Sequence, residues 1–288
     1  MANEAHDDLM NTLDLEEVGT GVFRGPLAQR TLPRVFGGQV LAQALIAAGR
    51  TVPDHRPPNS LHAYFLAGGD PGRSITYRVT TLRDGRSFSS RQIVASQGEH
   101  QIFTMLTSFA SDGDGLTHQC DEPEPAPPAL TLPTLDQRLA PERSWLPQWW
   151  TDEHPFDIRF VEHPIGLAAG AVGPPKQSMW IRSPETTDDD PILNAALTAY
   201  ASDLTLLDPA LMPHGRSWYG ENAIDGASID HALWFHRNPR IDRWLLCEQA
   251  SPIARAGRCL CTTKFFDSSG NLLVSGAQEG VLREQYRK

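Results

Sequence analysis

The chain has 288 residues, of which 40% are hydrophobic and 21% charged, enough for roughly two domains of about 150 residues each and far from the signature of disorder. Its formal net charge of −10 removes the general pull toward phosphate backbones that nucleic-acid binders rely on. No apolar run approaches the roughly 18 residues of a membrane span, and the acidic start lacks the basic-then-apolar order of a secretory leader. The closing Gln285-Tyr286-Arg287-Lys288 is not a peroxisomal address of the SKL type. The expectations are therefore no nucleic acid, no membrane insertion and a cytoplasmic protein.

The elements in chain order begin with a strand over Leu15–Arg24 and a helix over Gln39–Ala48, entered through Gly37-Gly38. Strands follow at Leu61–Leu66, Ser74–Leu82, Phe88–Ser96 and Gln101–Phe109. Between them lie a tight turn at Arg83-Asp84-Gly85-Arg86, where Asp-Gly supplies a positive φ, and a second turn at residues 97–100. Six prolines between Asp121 and Pro141 remove backbone donors and mark an irregular connection. Beyond it come strands at Phe156–Val161 and Ser178–Arg182. A helix over Pro191–Leu207 follows, with Asp188-Asp189-Asp190 at its positive end and Pro191 in its first turn. The last strands are Ile229–His236, Trp244–Gln249, Gly257–Phe266 and Leu272–Leu282, with a turn at residues 267–271.

The same order thus occurs twice. His62-Ala63-Tyr64-Phe65 matches His231-Ala232-Leu233-Trp234, and Ile102-Phe103-Thr104-Met105 matches Leu273-Val274-Ser275-Gly276. One long helix covered by an antiparallel meander, duplicated, is the simplest α+β reading. The expected organisation is an N-terminal domain over 1–111, a Pro-rich linker over 112–149 and a C-terminal domain over 150–288. Four cysteines make no disulfide framework in a chain of this length. With neither C-x-x-C nor H-E-x-x-H present, no metal is expected. The sequence also lacks G-x-S-x-G, a Walker A run and G-x-G-x-x-G, which argues against a serine-nucleophile hydrolase, phosphoryl transfer and Rossmann cofactors.

Several ordered motifs span both halves: Val35-Phe36-Gly37-Gly38-Gln39-Val40, Leu61-His62-Ala63-Tyr64-Phe65-Leu66 and Thr81–Phe88, then Ala201-Ser202-Asp203-Leu204, Ile229–His236 and Gln278-Glu279-Gly280-Val281. Over residues 12–284 the chain resembles the acyl-CoA thioesterase II (TesB-like) family. The resemblance implies a double hotdog: two tandem units, each a long helix wrapped by a curved antiparallel sheet. It also implies hydrolysis of fatty acyl-CoA to free acid and coenzyme A, with coenzyme A as part of the substrate and no separate cofactor, in a homo-oligomer.

Read from the residues alone, Asp203 shares a helical stripe with Ala196, Ala199, Tyr200 and Leu207. It is either a helix-end carboxylate reaching water or a neighbouring loop, or a base in an apolar setting. The first helix carries no acid from Gly38 to Arg50, which favours one working site per chain. The resemblance assigns a catalytic trio of Asp203, Ser228 and Gln278, with Ser where many members have Thr. In that scheme Asp203 takes a proton from water that attacks directly, without a covalent intermediate. Backbone N–H groups at Gly37, Gly38 and Gln39 would hold the oxyanion. His62 and His231, at matched positions, read as structural, and Arg83, Arg86, Arg91 and His236-Arg237 are candidates for coenzyme A phosphates. Two alternatives remain: a hotdog enoyl-CoA hydratase or dehydratase, which requires His231 or His236 at Asp203, and a noncatalytic acyl-CoA binding module.

Overall fold

The computed structural model describes residues 4–27, 33–53, 56–111, 113–151, 154–164, 170–187, 189–220 and 223–284. The first half runs α1 (Glu4–Leu13), β1 (Glu16–Gly19), β2 (Val22–Gly25), α2 (Gly37–Gly49), β3 (Pro58–Phe65), β4 (Ile75–Asp84), β5 (Phe88–Gln97) and β6 (His100–Ala110). The connection holds α3 (Leu135–Leu139) and α4 (Gln148–Thr151). The second half runs β7 (Asp157–Phe160), β8 (Lys176–Arg182), α5 (Pro191–Ser202), β9 (Ile224–Ser228), β10 (Asp230–Phe235), β11 (Leu245–Arg255), β12 (Arg258–Phe266) and β13 (Leu272–Glu284).

All described strands form one antiparallel sheet in the order β1-β2-β4-β5-β6-β3-β10-β13-β12-β11-β8-β7, with β9 also paired to β13. Outward from the central β3–β10 pair, both halves repeat one succession: β6, β5, β4, β2, β1 on one side and β13, β12, β11, β8, β7 on the other. The sheet curves around α2 and α5, which are buried along almost their whole lengths. A helix enclosed on all sides must be apolar all round, and both are. Gln43 in α2 donates to Thr12 O at 2.6 Å and accepts from Tyr77 Oη at 2.6 Å, and Asn194 Oδ1 in α5 accepts from Thr187 and from Ile241 N. This is the double hotdog that the resemblance implies.

Several local expectations change. The first strand is a hairpin, because Gly21 turns the chain at φ +66 between β1 and β2. Gly85 does not take the left-handed conformation expected of the Asp-Gly turn. Arg91 holds both carboxylate oxygens of Asp84, at 2.8 and 3.2 Å, and β4 continues through Asp84. The second helix ends at Ser202, not Leu207, and short 3₁₀ turns follow at Asp208–Ala210 and Met212–His214. Pro209 and Pro213 in those turns lack the N–H an α-helix needs. At the helix start, Asp190 is the N-cap and accepts from Ile192 N and Leu193 N, while Asp188 lies outside the described residues.

The Pro-rich connection is laid along the second half. Glu124 N donates to Glu248, Lys176 pairs with Glu124 at 2.7 Å, and Trp180 Nε1 donates to Pro127 O at 2.8 Å.

Candidate active site

Asp203 is the residue after the last turn of α5, at φ −90 and ψ −5. It is therefore a helix C-cap and not a member of an interior stripe. Its side chain is only 5% exposed. A buried carboxylate needs compensating donors, and three elements converge on it.

The first is β13. Gln278 Nε2 donates to Asp203 Oδ1 at 2.6 Å and to Ser228 Oγ at 2.7 Å. Both amide hydrogens are thereby used, so Ser228 Oγ accepts and keeps its own O–H to donate elsewhere. Gln278 Oε1 is buried and has no hydrogen-bond partner. The second is β9, which ends at Ser228 opposite Gly280. The strand breaks at Ile229, and Asp230 Oδ1 takes the Glu279 N–H at 2.7 Å. That break lets Ser228 and Gln278 meet across the two strands.

The third element is the N-terminus of α2. A Cβ on Gly37 would stand 2.7 Å from Asp203 Oδ2 and 3.1 Å from the Phe65 ring, so only glycine permits this approach. The positive end of the α2 dipole thus faces the carboxylate. The N-cap, Phe36, offers no side-chain acceptor to the first helical N–H groups. Gln39 N, however, donates to Phe36 O at 3.1 Å. Of the three residues expected to supply oxyanion donors, Gln39 has its N–H engaged and its side chain buried. The Phe36 ring packs on Tyr200 at 4.9 Å and Trp149 at 5.6 Å, an apolar wall beside the helix start.

His231, expected to be structural, lies beside the carboxylate. It is fully buried; Nε2 lies 3.0 Å from Ser202 Oγ and Nδ1 lies 3.6 Å from Asp203 Oδ1. His62 does not share this setting. It is exposed on the opposite face of the sheet and meets Trp234 edge-on at 5.1 Å. The strand match is one residue out: by burial and register, the counterpart of His231 is the buried Leu61, and a one-residue slip exchanges the faces.

The proposed phosphate contacts also separate. Arg91 is 1% exposed and its donors are spent on Thr51 and Asp84, so it contacts no ligand. His236 bonds Ser275 Oγ at 2.9 Å and Arg237 donates to Leu272 O at 2.7 Å, both near the end of β10. A cleft of about 470 Å³ near the β11–β12 hairpin gathers Arg216, Arg255, Arg258 and His214. The Trp218 ring packs over Gly226 and Leu207 over Gly280, which places them between this cleft and the trio along β9 and β13.

Fold and cluster together define a double-hotdog protein with a buried carboxylate–amide–hydroxyl centre at a helix–helix junction. Residues 27–110 match a family model described as the acyl-CoA thioesterase N-terminal domain, and residues 150–281 match one described as acyl-CoA thioesterase. Acyl-CoA thioesterase 2 of Haemophilus influenzae is 34% identical over 96% of this chain and 97% of its own. The crystal structure of the acyl-CoA thioesterase II TesB2 from Mycobacterium marinum superposes with a TM-score of 0.78 at 36% identity, covering 96% of this chain and 98% of that one. A hot dog protein of unknown function from Alicyclobacillus acidocaldarius, 17% identical with a TM-score of 0.76 over 96% of this chain and 98% of its own, shares the fold. The chain belongs to the acyl-CoA thioesterase II (TesB-like) family.

Proposed function

We propose that this protein hydrolyses fatty acyl-CoA thioesters with Asp203 as general base, and the observation that carries the reading is the Asp203–Gln278–Ser228 cluster at the N-terminus of α2. A water beside it gives a proton to Asp203 while the Ser228 O–H donates to the water oxygen, and Gln278 Nε2 holds both side chains in place. The water O–H bond breaks as the O–C bond forms, and the carbonyl electron pair moves onto oxygen. The Gly37 and Gly38 N–H groups receive that charge, as donors at a helix N-terminus do. The C–S bond then breaks and the thiolate of coenzyme A takes the proton from Asp203, so acid and thiol leave without a covalent enzyme intermediate. Such a base contributes on the order of 10²–10⁴-fold.

One observation speaks for a hydratase or dehydratase: His231 does lie beside Asp203. That chemistry requires the histidine to reach a substrate carbon, and His231 is fully buried behind the carboxylate, which favours hydrolysis. A noncatalytic binding module has no use for a water-aiming base. No helix of the described residues is long and apolar enough to cross a membrane, and the cytoplasm remains the proposed compartment. Tyr64, Leu106 and Trp234, each 40% exposed or more on the outer face of the central strands, support a homo-oligomer built through that face, which sedimentation velocity tests directly.

The deciding experiment follows coenzyme A release with a thiol reagent across a ladder of acyl-CoA lengths, for wild type and Asp203→Asn. Turnover by wild type and a loss of roughly 10³-fold in the variant are expected. Equal turnover in both would remove Asp203 as the base.

A further inference from the structure

Among the described residues, β9 has a strand neighbour on one side alone. It pairs with β13, and every one of its residues is half-buried. β10, which continues the same row of the sheet, pairs on its other side with β3, Asp230 standing opposite Tyr64. Had β3 run on in that register, Leu66 would face Ser228 and Gly68 would face Gly226. It does not. β3 ends at Phe65, whose N–H bonds Ile229 O at 2.9 Å, and Leu66 N and Ala67 N turn away to Ile102 O at 2.8 and 3.3 Å. The lane beside β9 is thus left without a strand. An open edge invites pairing, and β9 carries neither the Lys nor the Pro that would blunt it.

Two bonds fix which backbone groups face this lane. Ile224 N points away from β13, to Ser217 O at 3.0 Å, and Leu282, opposite Gly226, sends its N–H the other way, to Gly257 O at 2.8 Å. Antiparallel ladders alternate, so Gly226 and Ser228 follow Ile224 and aim their N–H and C=O groups into the lane. The bonds at Ile224 and Ile229 bound it, roughly 16 Å apart at the rise of a strand. We propose that this lane holds the pantetheine arm of a coenzyme A thioester, its two amides pairing with the Gly226 and Ser228 backbone as an added strand would. This rests on the reading of the Asp203 cluster as the thioester site. The arm is extended and carries one donor and one acceptor in each amide, which is what the edge of β9 lacks. One end of the lane is Ser228, a member of the trio, where the thioester belongs. At the other end Ile224 borders the cleft with Arg216, Arg255 and Arg258, the charge that suits the phosphates beyond the arm. A peptide strand brings amides to the lane but neither a thioester nor phosphates to its two ends.

Amide hydrogen exchange followed by ¹⁵N NMR, with and without S-dodecyl coenzyme A, a thioether that hydrolysis cannot cleave, tests the lane. The Gly226 amide is expected to slow at least about tenfold with the thioether in excess, while Ala227, whose N–H faces β13, keeps its rate. An unslowed Gly226 overturns the proposal. So does equal slowing of Gly226 and Ala227, which reports a general tightening of the fold. Turnover gives the second measurement. Lauroyl-pantetheine is compared with an analogue whose amide nearer the sulfur is an ester, equal in length but without the donor. A fall in kcat/KM of roughly tenfold is expected for the lost hydrogen bond, and equal turnover overturns the pairing. Gly226 protected in a protein that releases thiol from no thioester overturns the hydrolase reading and not the lane. Turnover with Gly226 unprotected overturns the lane alone.

Discussion

A carboxylate in an apolar setting is either compensated by donors or kept protonated, and this protein holds both kinds within six residues. Asp203 is met by Gln278, His231 and a helix N-terminus. Asp208 is fully enclosed, with Trp218 Nε1 donating to it at 2.6 Å. Burial pushes the Asp208 carboxyl up to about 7, against smaller lowerings by Trp218 and Gln177. The folded state therefore holds a proton on Asp208 that the unfolded state releases near its ordinary value of 3.8. The stability this contributes is complete below that value and is lost as pH rises through about 7; the full penalty is on the order of 4 kcal/mol. Asp208→Asn keeps an acceptor for Trp218 and removes the titration. Its melting temperature relative to wild type is expected to climb between about pH 5 and pH 8, and a constant difference would mean that Asp208 is already ionised in the folded protein.

At the scale of elements, the site is a meeting of ends. α5 delivers Asp203 at its C-terminus, α2 delivers its N-terminal amides, and the broken strand β9–β10 lets Ser228 face Gln278. The arrangement depends on close approach of α2, and Gly37 is where that approach reaches the carboxylate. Gly37→Ala puts a methyl group 2.7 Å from the carboxylate, so helix or carboxylate must shift. A misplacement of this size costs roughly 10²-fold in kcat. The expected outcome is a folded protein with coenzyme A release reduced by that factor. Wild-type kcat in the variant would show that the helix start is not part of the catalytic geometry.

The whole molecule is a duplication, and the proposed base stands in one half alone. The pseudo-twofold that exchanges β3 with β10 also exchanges the C-caps of the helices, Asp203 and Arg50. By register it places Pro58 at the position of Ser228 and Thr107 at that of Gln278. The mirrored junction is closed: Gly49 abuts Ile192, and the buried Arg91 binds Thr51 Oγ1 and Thr51 O, both at 2.8 Å. Among the described residues it carries Arg50 where the other half carries Asp203. Calorimetric titration with a non-hydrolysable acyl-CoA thioether is expected to give one site per chain, and two sites would show that the first half still binds.

Much of this was readable before any coordinates. Periodicity and turn residues placed both long helices and nearly every strand to within a few residues, because apolar patterning and Gly/Pro punctuation act over short distances along the chain. The absence of an acid from the first helix points to one site, the reading that the calorimetric titration tests. The sequence determined the family, the duplication and the residue types available for chemistry. It did not determine that Asp203 caps a helix instead of lying along one, that Gln39 spends its N–H on Phe36, or that Arg91 is interior. Nor did it separate His62 from His231. Each of those depends on contacts between segments far apart in the chain: a strand register in which one residue exchanges the two faces of the sheet, and a helix start that reaches a carboxylate in the other half. Tertiary packing decides them, because burial and distance across the sheet leave no local trace in the sequence.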